Sequence, residues 1–172
     1  FDINWKIPIW LEENTNCKII HPSTDCEIDD NDYGISKRKA ANYISKSAKN
    51  TKMLQTSIIG PELKNNGIGL FHWFMNQDDR AGGYVNAIWS GITTIELAKS
   101  IKWAIKNDIT SLYHVTNNKS ISKCELLKLF SKYSNNKIKI YEVEGKHVDK
   151  SFIDTRKLID YQIPDYDIMV KE

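Results

Sequence analysis

A pair of hydroxyl residues, a tyrosine and a lysine stand close together near the start of the chain, in the stretch STDCEIDDNDYGISK. Ser23 and Thr24 follow an apolar run, and Tyr33 opens a Tyr-x-x-x-Lys sequence that ends at Lys37. Positions four residues apart lie on one face of a helix, so Tyr33 and Lys37 are expected to point the same way. These residue types can perform acid/base chemistry on a carbonyl group.

The chemistry follows from the pKa of a phenol, which at its reference value of ~10 makes a tyrosine a poor base at neutral pH. A nearby ammonium group favours the phenolate, so that Tyr33 can exchange a proton with a carbonyl or alcohol oxygen. Ser23 or Thr24 can polarise the same oxygen while a nicotinamide delivers a hydride. The alternative is that Tyr33 and Lys37 form only a helix-surface contact, because Tyr-x-x-x-Lys sequences arise often by chance.

Strand-like and helix-like segments alternate along the chain. Extended segments are expected at residues 18–21, 51–59, 82–92, 111–116 and 137–143. Helices are expected at residues 33–50, 70–75, 93–107 and 122–133, the last two beginning with capping boxes. The tail after Gly145 carries little pattern. This alternation predicts an α/β fold with a largely parallel sheet, whose functional residues lie at the carboxyl ends of strands.

The composition is that of a globular protein of one-domain size, with 172 residues of which 41% are hydrophobic and 27% charged. The 24 basic and 22 acidic residues are mixed along the chain, so no nucleic-acid partner is expected. No apolar run approaches the ~20 residues that cross a bilayer, and no signal peptide is evident, so we expect no membrane partner and a cytoplasmic location. Three cysteines without Cys-x-x-Cys spacing and four scattered histidines predict no metal site.

Six segments, taken in order, resemble the second half of the extended short-chain dehydrogenase/reductases, in particular the dTDP-4-dehydrorhamnose reductase group. The segments are CKIIHPSTDC, YGISKRKAANYI, TSIIGPEL, NAIWSGITTIELAKSI, LYHVTNNKSISKCELLKLF and SFIDTRKL. The resemblance covers nearly all of the chain. Its most specific elements are the Ser-Thr-Asp-Cys strand end, the Tyr-Gly-x-Ser-Lys sequence and the Asn-x-x-Trp-x-Gly-x-Thr-Thr sequence.

This resemblance implies a partial Rossmann-type fold, doubly wound with a mainly parallel sheet, and a small carboxy-terminal α/β part that binds substrate. Residues 1–80 would be the carboxy-terminal half of a dinucleotide-binding domain, and residues 81–172 would bind the nucleotide sugar, in a single compact unit. Thr24, with Ser23, would polarise the substrate oxygen, and Tyr33 would be the acid/base. Lys37 would hold the nicotinamide ribose and lower the pKa of the tyrosine.

The resemblance also implies binding residues. Tyr33, Lys37 and residues 57–60, among them Ser57, Ile58 and Gly60, would meet the NADP or NAD cofactor. The residues expected near the sugar nucleotide are Asn86, Trp89 and Thr93. Each of these three has a plainer interpretation, since Asn86 can be a turn residue, Trp89 a core aromatic and Thr93 a helix cap.

The implied activity is the NAD(P)-dependent reduction of the 4-keto group of a nucleotide-linked deoxysugar, a step of dTDP-rhamnose and polysaccharide biosynthesis. Epimerisation or dehydration of a nucleotide sugar on the same residues is one alternative. A non-catalytic protein that binds nucleotide sugars or regulates another enzyme is the second. The sequence leaves open the sugar, the nucleotide and the choice between NADH and NADPH.

The chain departs from the family in two places. No glycine precedes Gly34, so the Gly-x-x-Gly-x-x-Gly turn that binds the dinucleotide pyrophosphate is missing from this sequence. We therefore expect a carboxy-terminal fragment or relic that binds NAD(P) weakly or not at all, and that self-associates through exposed apolar surface and a strand edge. The loop from Thr24 to Tyr33 is also shorter than in the family, which makes the distance between these two residues the geometry to test.

Overall fold

The computed structural model describes residues 2–64, 66–107, 111–145, 147–156 and 161–172. Its strands are β1 (Ile19–Ser23), β2 (Thr51–Gln55), β3 (Ile58–Ile59), β4 (Arg80–Tyr84), β5 (Ala87–Trp89), β6 (Ile92–Thr93), β7 (Ser111–His114), β8 (Ile121–Ser122), β9 (Lys139–Val143) and β10 (Val148–Lys150). Its helices are α1 (Ile3–Asn14), α2 (Asp32–Ser47), α3 (Leu70–Met75), α4 (Thr94–Lys106), α5 (Lys123–Tyr133) and α6 (Tyr166–Lys171). A 3₁₀ helix, Asp25–Ile28, joins β1 to α2. No helix in these ranges is both long enough and apolar enough to cross a membrane.

Parallel strand pairs dominate the described part of the chain. Strands β1, β2 and β7 form one parallel sheet in that order, and β10, β5 and β8 form a second three-stranded sheet. Strands β3 and β6, and likewise β4 and β9, pair in parallel, whereas β5 and β8 are antiparallel. The predicted α/β class with mainly parallel pairing is confirmed, although the strands are divided among several small sheets.

Two of these pairings join the first 80 residues to the rest of the chain. Strand β2 pairs with β7, and β3 pairs with β6. The division of the chain at residue 80 stays a prediction, and hydrogen-bonded strands lie on both sides of it.

Strand β2 is buried along its whole length because helices cover both faces of its sheet. Met53 packs against Ala40 and Ile44 of α2. The next side chain, Leu54, points to the opposite face and packs with Trp103 of α4 in the larger core. Burial on both faces extends even to the polar residues of the strand, Thr51, Lys52 and Gln55.

The run TKMLQTSII does not form one strand, so the prediction of a single strand over residues 51–59 is wrong. Strand β2 ends at Gln55 and β3 begins at Ile58. Strand β2 pairs with β7, but β3 pairs with β6, so the chain changes partners between the two strands. The break therefore has a long-range cause that local composition does not record.

Two helices, α1 and α6, are not predicted by the sequence patterns. Helix α1 contains Pro8, and its apolar residues are spread around the helix, since Ile3, Ile7 and Trp10 are exposed whereas Trp5 packs against the core. Helix α6 lies in the tail after Gly145, where the sequence carries little pattern. It is only six residues long, too short for a periodic pattern, and it buries Tyr166 and Met169.

Pro22 lies within β1 without breaking the pairing to β2. The Ile19 N–H donates to the Asn50 carbonyl, and the Ser23 carbonyl accepts from the Thr56 N–H. The backbone N–H and C=O groups of the odd-numbered residues of β1 therefore point toward β2. Pro22 therefore faces the other edge of β1, which is unpaired among the described residues. Its missing N–H costs no bond to β2 and removes a donor from the open edge. Self-association through this edge stays a prediction, with Pro22 acting against it.

Glu12 ties α1 to the turn between α2 and β2. Its carboxyl group accepts hydrogen bonds from the backbone N–H groups of Lys49 and Asn50 and, at 2.6 Å, from the Thr51 hydroxyl. Glu12 is only 7% exposed, and burial by itself would raise its pKa. The hydrogen bonds, that of Thr51 first, outweigh burial and lower the pKa of Glu12.

Glu12→Gln should destabilise the fold by about 1–2 kcal/mol at neutral pH, because hydrogen bonds to a carboxylate are stronger than those to an amide. The pKa of Glu12 is lower in the folded chain than in the unfolded one. Its stabilisation is therefore present above the unfolded pKa of ~4.3 and is lost as the pH falls through the folded value. Urea unfolding at neutral and acidic pH should show the difference between wild type and variant shrinking in acid.

The matched control is Glu13→Gln, which removes the neighbouring exposed carboxylate that accepts from the Tyr43 hydroxyl at 2.8 Å. This change should alter the free energy of unfolding much less than Glu12→Gln does. A Glu12→Gln effect that is independent of pH would contradict the role of the carboxylate charge.

Candidate active site

Thr24 lies at the carboxyl end of β1, as the sequence predicts. Ser23 is the last residue of the strand, and the Thr24 hydroxyl oxygen accepts a hydrogen bond from Cys26 N–H at 3.2 Å, which caps the 3₁₀ helix. The same hydroxyl donates to the Asp25 carboxylate at 3.1 Å. Local turn chemistry therefore holds Thr24 at the edge where open parallel sheets bind ligands.

A glycine lets the first turn of α2 lie directly against the 3₁₀ helix. Asn31 begins α2 by accepting a hydrogen bond from Gly34 N–H at 2.9 Å. A Cβ atom at Gly34 would collide with the carbonyl oxygens of Cys26 and Asp29. The short loop after Thr24 is thus folded tightly enough to return the chain to the end of β1.

Tyr33 and Lys37 lie on one face of α2, as their spacing predicts. The Lys37 Nζ is 5.9 Å from the centroid of the Tyr33 ring. The Thr24 side chain lies close enough to the Tyr33 phenol to lower its pKa, so the short loop does not separate the two. The structure brings Thr24, Tyr33 and Lys37 together, which we call the triad; their catalytic roles stay predictions.

The pKa of Tyr33 moves in the direction opposite to the one expected. Burial raises the pKa of the phenol, and the hydrogen bond with Thr24 opposes that rise without reversing it. The Cys26 thiolate, where it forms, and the charges of Asp25 and Glu27 raise it further. Burial also lowers the pKa of Lys37. Tyr33 is therefore protonated at neutral pH, the form in which it can donate a proton to a substrate oxygen.

Ser23 has a partner of its own and does not stand beside Thr24 as a second polarising group. Its hydroxyl donates to Glu27 Oε1 at 2.5 Å, and both residues are buried. Gln55, which lies opposite Ser23 on β2, donates to the Thr24 carbonyl at 3.1 Å. Sequence reasoning missed Glu27, because an acid in a short polar loop gives no sign that it will be buried.

Tyr33 lines an open cleft of about 570 Å³, here called the tyrosine cleft. Two residues expected to meet the cofactor, Ile58 and Gly60, lie in its wall. Ile58 is 51% exposed, an unusual position for a strand isoleucine. Ser57 does not line this cleft, and its carbonyl accepts a hydrogen bond from Ile92 N–H at 2.8 Å.

The three residues expected near the sugar nucleotide occupy different surroundings. Trp89 is 2% exposed and packs in the core against Tyr166, with ring centroids 5.9 Å apart. Thr93 is buried and caps α4 by accepting from Glu96 N–H at 3.3 Å. Asn86 lies in the turn between β4 and β5. The structure does not bring these three together, and it agrees with the plainer interpretations of all three.

A larger open cleft of about 760 Å³ adjoins the tyrosine cleft, since Ile68 and Leu70 line both. Three aromatic side chains stand in its wall: Trp73, Tyr84 and Tyr141. We call it the aromatic cleft. The two clefts together form a continuous concave surface that runs from the triad to a set of stacking side chains.

Lys123 also lines the aromatic cleft and is the first residue of α5. Its ammonium lies 5.1 Å from the centroid of the Trp89 ring. Burial lowers the pKa of Lys123, and the charge of Asp25 opposes this effect. Within the described ranges the ammonium has neither a hydrogen-bond partner nor an ion pair within 4 Å. Sequence reasoning missed Lys123, because a lysine after a helix cap resembles any solvated residue.

Thr24→Val should raise the pKa of Tyr33, because it removes a hydrogen bond that favours the phenolate. Thr24→Ser keeps the hydroxyl and should leave the pKa close to that of the wild type. The measurement is the alkaline titration of the Tyr33 ring-carbon NMR signal, identified by its loss in Tyr33→Phe. Equal values in Thr24→Val and wild type would mean that the two side chains do not meet in solution.

No family model and no curated protein matches the sequence. Solved structures match over nearly the whole chain. A dTDP-4-dehydrorhamnose reductase from Bacillus anthracis str. Ames in complex with NADP aligns with a TM-score of 0.76 and 18% identity, covering 96% of this chain and 67% of the other. A dTDP-glucose 4,6-dehydratase from the same organism, in complex with NAD, gives a TM-score of 0.72 and 11% identity, with coverage of 99% and 66%.

A UDP-N-acetylglucosamine 4-epimerase from Methanobrevibacter ruminantium M1 aligns with a TM-score of 0.69 and 17% identity. The alignment covers 99% of this chain and 66% of the epimerase. The chain therefore spans about two thirds of the length of these three enzymes. The fold of the chain thus agrees with the resemblance to nucleotide-sugar enzymes that the sequence segments show. The chain has the fold of these solved enzymes, a Rossmann-type α/β fold with mainly parallel strand pairs.

Proposed function

We propose that this chain belongs to an NAD(P)-dependent enzyme that reduces the 4-keto group of a nucleotide-linked deoxysugar. The observation that carries the proposal is the meeting of Thr24, Tyr33 and Lys37 at the end of β1, beside the tyrosine cleft. The fold by itself does not choose a reaction, because its neighbours include a reductase, an epimerase and a dehydratase. The choice rests on the chemistry of the triad.

Tyr33 donates its proton to the carbonyl oxygen of the substrate in this proposal. Its raised pKa keeps the phenol protonated until that oxygen becomes basic. The Thr24 hydroxyl, which now donates to Asp25, can turn to donate to the same oxygen. The Lys37 ammonium, 5.9 Å from the ring, stabilises the phenolate that remains after transfer.

A nicotinamide dinucleotide, when bound, supplies the hydride for this reduction. The residues of this chain that fit its nicotinamide end are Tyr33, Lys37, Ile58 and Gly60. The exposed apolar side chain of Ile58 offers a surface for a flat ring beside the phenol. A glycine-rich turn for the pyrophosphate is missing from this sequence, so we expect weak binding of NAD(P) by these residues.

The nucleotide part of the substrate is proposed to occupy the aromatic cleft. A nucleobase stacks favourably on aromatic faces such as those of Trp73, Tyr84 and Tyr141. Lys123 lines this cleft and lies near enough to Asp25, the residue after Thr24, for that charge to raise its pKa. Its ammonium can donate to a diphosphate without first giving up a protein partner. This order places the sugar at Tyr33, the diphosphate at Lys123 and the base among the aromatic residues.

Tyr33→Phe should lower the turnover of a 4-keto nucleotide sugar by at least ~100-fold, which is the usual scale for loss of a general acid. Substrate affinity should change little. The assay follows NADPH consumption by the protein expressed from its complete reading frame. Tyr43→Phe, on the same helix, removes a surface hydroxyl that bonds Glu13 and should leave turnover unchanged. Lost affinity with intact turnover would make Tyr33 a binding residue and overturn the proposed role.

Lys123→Met should weaken the binding of a nucleoside diphosphate by about tenfold or more, because it removes a charge-assisted hydrogen bond. Binding of the corresponding nucleoside, which carries no phosphate, should stay the same. Calorimetric titration with UDP, dTDP, uridine and thymidine measures both effects. The control is Lys128→Met on the same helix, whose lysine is exposed and paired with Glu142 at 2.9 Å. Equal loss for nucleoside and nucleoside diphosphate would contradict a phosphate contact.

A further inference from the structure

Lys150, the last residue of β10, reaches the loop that joins β1 to α2, here called the triad loop (residues 24–31). Its ammonium donates to Asp29 Oδ2 at 2.8 Å and to Cys26 Sγ at 3.7 Å. The side chains of Lys150 and Asp29 are 22% and 29% exposed, so their ion pair is largely shielded from solvent. The proposed reaction gives Lys150 no part, although it holds two residues of the loop that carries Thr24.

The two residues that Lys150 contacts also set the shape of the triad loop. The Cys26 N–H donates to the Thr24 hydroxyl oxygen at 3.2 Å, and the Asp29 N–H donates to the Cys26 carbonyl at 3.0 Å. The carbonyl oxygens of Cys26 and Asp29 are the atoms against which α2 packs at Gly34. Holding these two residues therefore fixes both the Thr24 hydroxyl and the surface on which the first turn of α2 rests.

Gln55 and Arg38 also hold the triad loop, in different ways. Gln55 of β2 donates to the Thr24 carbonyl at 3.1 Å, at the start of the loop. Arg38 donates to the Glu27 carbonyl at 2.9 Å, but it belongs to α2, the helix that the loop must position. Lys150 contacts the later part of the loop from a separate sheet, so it can fix the loop relative to the rest of the fold.

Strand β10 gives Lys150 a defined position. It pairs with β5, so that Lys150 lies opposite the buried Trp89. Two residues further on, the Phe152 N–H donates to the buried Ser90 hydroxyl at 2.6 Å. The other neighbour of β5 is β8, and the residue after β8 is Lys123 in the wall of the aromatic cleft. One sheet thus carries the lysine that holds the triad loop and leads to the lysine that lines the aromatic cleft.

The positive charge of Lys150 suits this contact. A partly buried carboxylate is costly unless an opposite charge accompanies it. Burial by itself would lower the pKa of Lys150. The groups that oppose burial, with the hydrogen bond of Asp29 first, outweigh it and raise the pKa of Lys150, so the ammonium is charged at neutral pH.

We propose that Lys150 is a positioning residue of the site, which fastens the triad loop to the sheet beside the aromatic cleft and so keeps the Thr24 hydroxyl in place at the end of β1. The contacts of its ammonium with Asp29 and Cys26 provide this hold. The meaning of the contact for turnover rests on the proposed function. Its effect on the loop does not.

Lys150→Met keeps the aliphatic stem and removes the ammonium. The NMR order parameters of the Cys26 and Asp29 N–H groups should then fall from about 0.85, the value of rigid backbone, toward about 0.6, where backbone becomes flexible. Amides of α5, such as that of the core residue Leu127, should stay rigid. The measurement reports on each amide of the folded chain and requires neither cofactor nor substrate.

Two controls separate this contact from ion pairs in general. Lys150→Arg keeps the positive charge and should leave the triad loop as rigid as in the wild type. Lys119→Met breaks an exposed pair with Asp165, 2.7 Å long, and should not change the order parameters of the loop either. If the loop in Lys150→Met is as rigid as in Lys119→Met, the proposal is wrong.

Asp29→Asn keeps the proposal testable if Lys150→Met fails to fold. It removes the other charge of the pair and should loosen the same two amides. Where both single variants fold, the double variant should be little looser than either, because both changes remove one contact. A triad loop that stays rigid in Asp29→Asn, or single effects that simply add, would overturn the role of the pair.

Turnover separates positioning from binding. In the protein expressed from its complete reading frame, Lys150→Met should lower kcat by about tenfold with little change in KM for the nucleotide sugar, and Lys150→Arg should restore most of the rate. A raised KM with kcat intact would make Lys150 a substrate-binding residue and contradict the proposal. A loosened loop in Lys150→Met, combined with a wild-type enzyme that does not reduce 4-keto sugars, would count against the proposed reaction alone.

Discussion

The close approach of the 3₁₀ helix to the first turn of α2 is the constraint on which the site depends. At Gly34 no side chain fits, because the carbonyl oxygens of Cys26 and Asp29 occupy the space. A larger residue would push α2 outward, and with it Tyr33, away from Thr24. Glycine inside a helix costs roughly 1 kcal/mol relative to alanine, and in this chain that cost is offset by a loop short enough to join β1 to the site.

Tight packing at this point has an electrostatic consequence. It brings Asp25 and Glu27 near enough to the Tyr33 phenol for their charges to raise its pKa. Lys37 balances part of that negative charge from the helix. The short loop therefore has two effects on Tyr33. It brings Thr24 near the phenol, and it carries the acidic residues that raise the pKa of the phenol.

The features that sequence could predict are those with local causes. The spacing of Tyr33 and Lys37, the strand end at Thr24 and the capping box at Ser122 all depend on neighbours a few residues away, and the structure contains each of them. The division of residues 51–59 between two sheets and the burial of Trp89 depend on distant strands. The burial of Glu27 and Lys123 could not be predicted for a related reason, since it depends on which distant residues pack over each charged side chain.

The proton held by Tyr33 bears on which reaction of this fold the chain suits. An enzyme that begins by oxidising a sugar alcohol needs a tyrosine that accepts the hydroxyl proton, and hence a lowered pKa. An enzyme that reduces a ketone needs a tyrosine that arrives protonated. The burial of Tyr33 and the acids around it favour the protonated phenol. This proton balance is compatible with the proposed reduction, in which Tyr33 donates its proton to the substrate oxygen.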